Sequence, residues 1–106
     1  MKIVINCCYG GFELSEEALK YMDIPYRKDG SWLFPLDSAW LGSYKCRTNP
    51  KLIEFIERFG SERASGNCSK LEIEEVEKGC LFRINNYDGL ESIDIKYMED
   101  NWYLAI

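Results

Sequence analysis

The chain has no histidine in its 106 residues. That absence removes the commonest general base and the commonest metal ligand at neutral pH. It excludes Ser-His and Cys-His nucleophile pairs built within one chain. Five cysteines are present (Cys7, Cys8, Cys46, Cys68 and Cys80), but no two stand in a C-x-x-C spacing. An odd, scattered set fits neither a disulfide framework nor a structural zinc site, so most of these read as buried free thiols. Also missing are G-x-G-x-x-G and G-K-[ST], which excludes the dinucleotide fingerprint and the P-loop. No metal and no cofactor is called for. Long apolar runs are absent, and no basic-then-apolar leader precedes the first predicted strand. The expectation is a soluble, cytoplasmic chain with no membrane partner. Lys and Arg number 13 against 18 Asp and Glu, a net charge of −5. Neutralising phosphates takes clustered cations, so broad nucleic-acid binding is not expected. An acidic chain does suit a basic groove on a partner.

What is present is a globular composition: 46% apolar and 14% aromatic residues, enough for one core. We expect a single domain over residues 1–106. Residues 2–8 read as a strand apolar on both faces, hence central. Cys7 and Cys8, adjacent on it, would face opposite sides. Gly10-Gly11 breaks the strand, and Ser15 caps a helix to about Met22 with Glu16 and Glu17 in its first turn. Asp29-Gly30 is a turn signal, Trp32 to Phe34 a short strand closed by Pro35, and Asp37 to Gly42 one helical turn. Asn49 and Pro50 open a second helix whose Leu52, Phe55, Ile56 and Phe59 fall at helical spacing, with Gly60 as its stop. Ser61 to Gly66 can add a further turn. Residues 70–77 form a strand that ends or bulges near Glu74-Glu75. Cys80 to Asn85 and Ser92 to Tyr97 alternate as a hairpin about Asn86-Tyr87-Asp88-Gly89, and Trp102 to Ile106 reads as a last strand. The layout predicts an α+β fold: a mostly antiparallel sheet of about 4–6 strands with two main helices packed on one face.

Three turns can carry chemistry. Asn6, Tyr9, Gly10, Gly11 and Phe12 sit between a strand end and a helix start, where backbone N–H groups can meet a ligand. Glu13, Glu16 and Glu17 nearby would repel a phosphate, and a tight turn needing small residues is the plainer reading. Arg47 stands just before a helix start, where it can meet a carboxylate or a phosphate, or simply lie on the surface. Tyr87, Asp88 and Glu91 frame the hairpin turn. The two carboxylates can do acid–base work, or Asp88-Gly89 can be turn chemistry alone. Between these turns, Trp32, Phe34, Trp40 and Tyr44 mix with Arg27, Lys28, Lys45 and Arg47, a pattern that can clamp an anionic or nucleotide-like ligand or merely pack.

The opening, with I-N-C-C-Y-G-G-F-E-L-S at Ile5 to Ser15, resembles a family of small proteins of bacteria and their phages that begin K-I-V-I-N-x-C-Y-G-G-F-x-L-S. The resemblance continues in Arg47 to Ile53 (R-x-[DN]-P-x-L-[IV]), in Phe59 to Gly66 (L-G-x-x-A-[SN]-G) and in N-Y-D-G-L-E-S-I at Asn86 to Ile93. Residues 26–46 lie outside the shared motifs. Phage company implies an accessory protein that inhibits a host protein or traps a small defence signal. The leading expectation is therefore a non-enzymatic binding protein of phage or prophage type with a counter-defence role. Its site would be built from Asn6, Tyr9, Gly10, Gly11, Phe12, Arg47, Tyr87, Asp88 and Glu91. Its partner would be a nucleotide-like small molecule or a host protein, and its assembly a homo-oligomer. One alternative is a small enzyme using Cys8 or the Asp88/Glu91 pair; another is a structural or assembly protein. The spatial test is whether Asn6 to Phe12 lie near Arg47 or Asp88.

Overall fold

A computed structural model describes residues 1–96. The fold is α+β, with the order β1 (Lys2–Asn6), α1 (Glu16–Tyr21), β2 (Tyr26–Asp29), β3 (Trp32–Pro35), α2 (Tyr44–Arg47), α3 (Pro50–Phe59), α4 (Ser61–Ala64), β4 (Leu71–Glu75), β5 (Leu81–Tyr87) and β6 (Leu90–Lys96). All strand pairs among the described residues are antiparallel. They form three separate two-stranded ladders, β1–β4, β2–β3 and β5–β6, in place of one continuous sheet.

β1 is the centre of the molecule. Ile3, Val4, Ile5 and Asn6 are all buried, so both of its faces are covered, as its unbroken apolar run requires. β4 pairs with it from Lys2↔Glu75 to Asn6↔Leu71, while α2, α3 and β6 also touch it. The strand stops at Asn6 rather than running to residue 8, although the Cys7 amide still donates to the Lys70 carbonyl at 2.7 Å. Cys8 opens the bend that follows, and the two thiols part as expected: Cys7 lies with Ile5, while the Cys8 Sγ meets the Asn6 side chain.

The capping chemistry works locally as the residue types dictate. The Ser15 hydroxyl accepts from the Ala18 amide at 3.1 Å, and the Asn49 side chain accepts from Lys51 at 2.9 Å with Pro50 at the first helical position. Leu52, Phe55 and Ile56 of α3 join Leu14, Ala18, Leu19 and Val4 in the core. The strand after the α4 loop ends at Glu75, with buried Val76 tied back to the Met1 carbonyl.

Two elements depart from expectation. Asp37 to Gly42 is a run of turns, held by Trp40 N–H to the Asp37 carbonyl and Ser43 N–H to the Trp40 carbonyl, and not a helical turn. The helical turn comes one step later, as α2, capped by Ser43. β2 arises where Tyr26-Arg27-Lys28-Asp29 shows no apolar alternation; its partner β3 and the Gly30 turn create it. Tyr97 and the strand expected over Trp102 to Ile106 lie outside the described residues. Among the described residues no helix is long and apolar enough to cross a membrane.

Candidate functional site

The three turns singled out by sequence meet at one place, around the end of β1. Asn6 is wholly buried, and Arg47 and Glu91 nearly so. The Glu91 carboxylate takes Arg47 Nη1 on Oε1 and Nη2 on Oε2, both at 2.7 Å, a two-pronged ion pair. Oε1 also accepts from the Asn6 backbone amide at 2.7 Å. Arg47 Nε donates to the Gly42 carbonyl at 2.5 Å, Nη1 also reaches the Val4 carbonyl at 3.2 Å, and the guanidinium lies 4.5 Å over the Phe12 ring. The Asn6 side chain is used as fully. Its Nδ2 donates to the Cys8 and Gly89 carbonyls at 2.9 and 2.7 Å, and its Oδ1 accepts from the Lys70 amide at 2.8 Å.

This network hangs the β5–β6 hairpin on the body of the protein. β6 touches β1 without forming a ladder with it, so among the described residues the attachment rests on side chains and on one backbone bond, Gly10 N–H to the Asp88 carbonyl at 3.0 Å. Asp88 and Gly89 both have positive φ, as a two-residue hairpin turn requires. The chains approach so closely that a Cβ on Gly89 would stand 2.2 Å from the Gly10 carbonyl oxygen, and one on Gly10 would stand 2.2 Å from that of Cys68. Gly11 differs from its neighbour: nothing lies within 4 Å of where its Cβ would be.

Outside the buried network, the same turns form a surface. Tyr9 and Tyr87 are 66% and 74% exposed and meet edge-to-face with ring centroids 6.4 Å apart. Gly10 and Asp88 are exposed beside them. The expected residues thus divide: Asn6, Arg47 and Glu91 are interior, Gly11 and Phe12 are half-buried, and Tyr9, Gly10, Tyr87 and Asp88 face outward. Arg47 is not a surface arginine. Both Glu91 oxygens are held by Arg47 and Asn6, while Asp88 lies exposed in the turn, an arrangement that lends the acid–base reading of the two carboxylates no support.

Cys8 Sγ faces the Asn6 Oδ1 and the Cys68 carbonyl, each at 3.5 Å, and neither acceptor is a base that could activate a thiol. Burial pushes the Cys7 thiol up to about 11, with a hydrogen bond to Glu72 adding to it. Burial likewise holds the Cys46 thiol at about 11. Both stay protonated at neutral pH. Among the described residues no group of cysteines and acids is placed to hold a metal ion.

Sequence reasoning missed the groove on the other side of α1. It runs between this helix and the inner face of the β2–β3 hairpin, with a volume of about 550 Å³. The signals for this segment were Asp29-Gly30, which marks a hairpin tip, and the mixture of aromatics and cations around it, of which only Lys28 lines the groove. No family model matches the chain, and neither a curated protein nor a solved structure is found similar to it.

Proposed function

We propose that the chain is a non-enzymatic binding protein of the phage or prophage accessory type. In this reading it docks on a host protein in the cytoplasm, in a counter-defence role, through the face formed by Tyr9, Gly10, Gly11, Tyr87 and Asp88. One observation carries the reading. A buried, fully hydrogen-bonded ion pair fixes two turns from opposite ends of the chain so that two exposed tyrosines stand side by side. Exposed tyrosines on a rigid base lose little entropy on binding, which is why they serve as anchors in interfaces. The net charge of −5 favours a partner with a basic surface. A homo-oligomer would present the face more than once and gain avidity.

The alternatives fare less well. Enzymatic use of Glu91 would require breaking the ion pair, and the partners of the Cys8 thiol among the described residues, the Asn6 Oδ1 and the Cys68 carbonyl, are not bases. For a nucleotide-like signal, the groove beside α1 offers two acids, Glu13 and Glu16, against one cation, Lys28, a balance that disfavours a phosphate there.

The open space at Gly11 supplies the test. Gly11→Gln adds a neutral, bulky side chain at a position where a Cβ meets nothing within 4 Å. We expect a saturable, stoichiometric protein partner for the wild type in affinity capture from host lysate, lost in Gly11→Gln and in Tyr87→Ala while both variants melt as the parent does. A partner retained equally by both variants sinks the assignment of the face. Saturable calorimetric binding of a cyclic nucleotide or an ADP-ribose derivative, with no protein partner, would replace the host protein by a small signal.

A further inference from the structure

The groove under the β2–β3 hairpin carries its own chemistry. Residues that pair across the hairpin share a face: Lys28 and Leu33 look inward, while Arg27 and Phe34 look outward, with the guanidinium stacked on the ring. The inward side meets aliphatic walls from Leu19 and Leu41. Two carboxylates line the space, Glu13 and Glu16, against one ammonium, Lys28. At one end the Asn67 side chain donates to the Ser31 carbonyl at 3.2 Å and ties the hairpin tip to the loop after α4.

Each carboxylate is placed by a specific contact. The Tyr26 hydroxyl donates to Glu16 Oε2 at 2.8 Å and holds that acid below the usual carboxylate range, with Lys28 adding to the effect. Glu13 lies over Gly66 so closely that a Cβ there would stand 2.6 Å from its own Cβ and 3.0 Å from Oε2. Glu13 has no ion-pair partner among the described residues. Lys28 Nζ stands 3.6 Å from Glu16 Oε1 with both side chains partly exposed, a loose contact. The chain thus supplies one ill-fitting cation to a groove with charge for two.

We propose that this groove binds a planar organic cation, a guanidinium or amidinium group on an aliphatic stem. The apolar walls accept the stem, and the weakly hydrated, flat head can enter between them and donate to Glu13 and Glu16. A phosphate or carboxylate is excluded by the same two acids. The proposal is independent of the Tyr9–Tyr87 face. The cation can come free in solution or as an arginine side chain of a partner protein.

The test is a titration of the ¹⁵N-labelled protein followed by NMR, with three probes: n-butylguanidinium, the blocked tripeptide acetyl-Gly-Arg-Gly-amide, and the neutral near-isostere N-butylurea. We expect saturable shifts confined to amides of residues 13–19, 28–35 and 65–67, with a cationic probe bound at least ten-fold more tightly than the urea. Glu13→Gln should weaken that binding at least five-fold, and Lys28→Met, which removes the competing ammonium, should strengthen it. Tighter binding of the tripeptide assigns the site to an arginine side chain, and tighter binding of n-butylguanidinium assigns it to a free cation. Equal response to N-butylurea, shifts outside the groove, or binding indifferent to Glu13→Gln overturns the proposal.

Discussion

Two ion pairs set the buried convergence apart from the open groove. Arg47 and Glu91 meet at 2.7 Å in two prongs with side chains only 7% and 3% exposed. Lys28 and Glu16 meet at 3.6 Å with side chains 58% and 34% exposed. The first pair is surrounded by further donors and acceptors until no buried side-chain nitrogen or oxygen among the described residues lacks a partner. The second leaves an acid beside it unmatched. A fully satisfied charge pair in low dielectric fixes geometry and has nothing left to offer a ligand. A loosely satisfied pair in a groove holds the fold weakly and can exchange partners. In this chain, then, the buried pair secures the attachment of the hairpin, while the groove between the start of α1 and the β2–β3 hairpin keeps an acid, Glu13, without an ion-pair partner among the described residues.

The largest effect should come from breaking the buried pair. Arg47→Met leaves the Glu91 carboxylate without its cation, and Glu91→Gln leaves the guanidinium without its anion. Loss of one partner of a buried pair costs about 3–5 kcal/mol. A domain of this size has about 5–15 kcal/mol in total, so either variant should melt well below the parent in a thermal scan followed by circular dichroism. The β5–β6 amides should lose hydrogen-exchange protection before those of α3, because the hairpin is attached by this network and not by a ladder. If both variants melt within a degree or two of the parent, the convergence does not hold the hairpin.

The two adjacent glycines sharpen the same point. Gly10→Ala drives a methyl group into the Cys68 carbonyl at a φ of +142° that side chains rarely adopt. Overpacking of this kind costs about 1–3 kcal/mol, with backbone strain added. Gly11→Ala meets nothing and should shift stability by no more than about 0.5 kcal/mol. Urea titrations of the two variants separate the readings, and equal midpoints would mean that the Gly-Gly turn is not packed as described.

Some of this was legible from residue types alone and some was not. Ser15, Asn49-Pro50 and the apolar spacing of α3 announce their elements because capping and helical periodicity are local. The gathering of Asn6, Gly10, Arg47, Asp88 and Glu91 was foreshadowed by motifs that cluster in turns. Which of them lie inside was not. Arg47 and Glu91 each look like surface residues in sequence, and only pairing across the fold makes their burial affordable. β2 was hidden for a related reason: Arg27, Lys28 and Asp29 carry no apolar alternation, and the strand exists through β3 and the aromatic stack of Arg27 on Phe34. The groove follows from that hairpin, so it could not be read before it.

Alkaline pH should loosen the core at Cys46. Its thiol is fully buried and titrates at about 11 in the fold, against an ordinary 9.0. A folded value above the unfolded one means that the contribution to stability is whole below pH 9 and is lost as pH rises from 9 towards 11. Cys46→Ala should lose less stability than the parent across that interval in pH-dependent melts. The same burial predicts that alkylation by iodoacetamide at neutral pH reaches exposed Cys68 and leaves Cys46 unmodified in the folded state.

The smallest effect falls on the other ion pair. Lys28→Met removes the cation that Glu16 meets in the groove at a contact distance of 3.6 Å. Exposed pairs of this kind contribute about 0–1 kcal/mol, since solvent screens the attraction and ordering two long side chains offsets much of it. Glu16 also keeps its bond from the Tyr26 hydroxyl. The variant should therefore melt within about 4–8 °C of the parent, even at the upper limit of that range. High salt should narrow the difference further, because a screened contact has less to lose. A drop as large as that of Arg47→Met would show that Lys28 is a structural residue in the same sense as Arg47, and the contrast between a closed network and an open groove would fail at its weaker side.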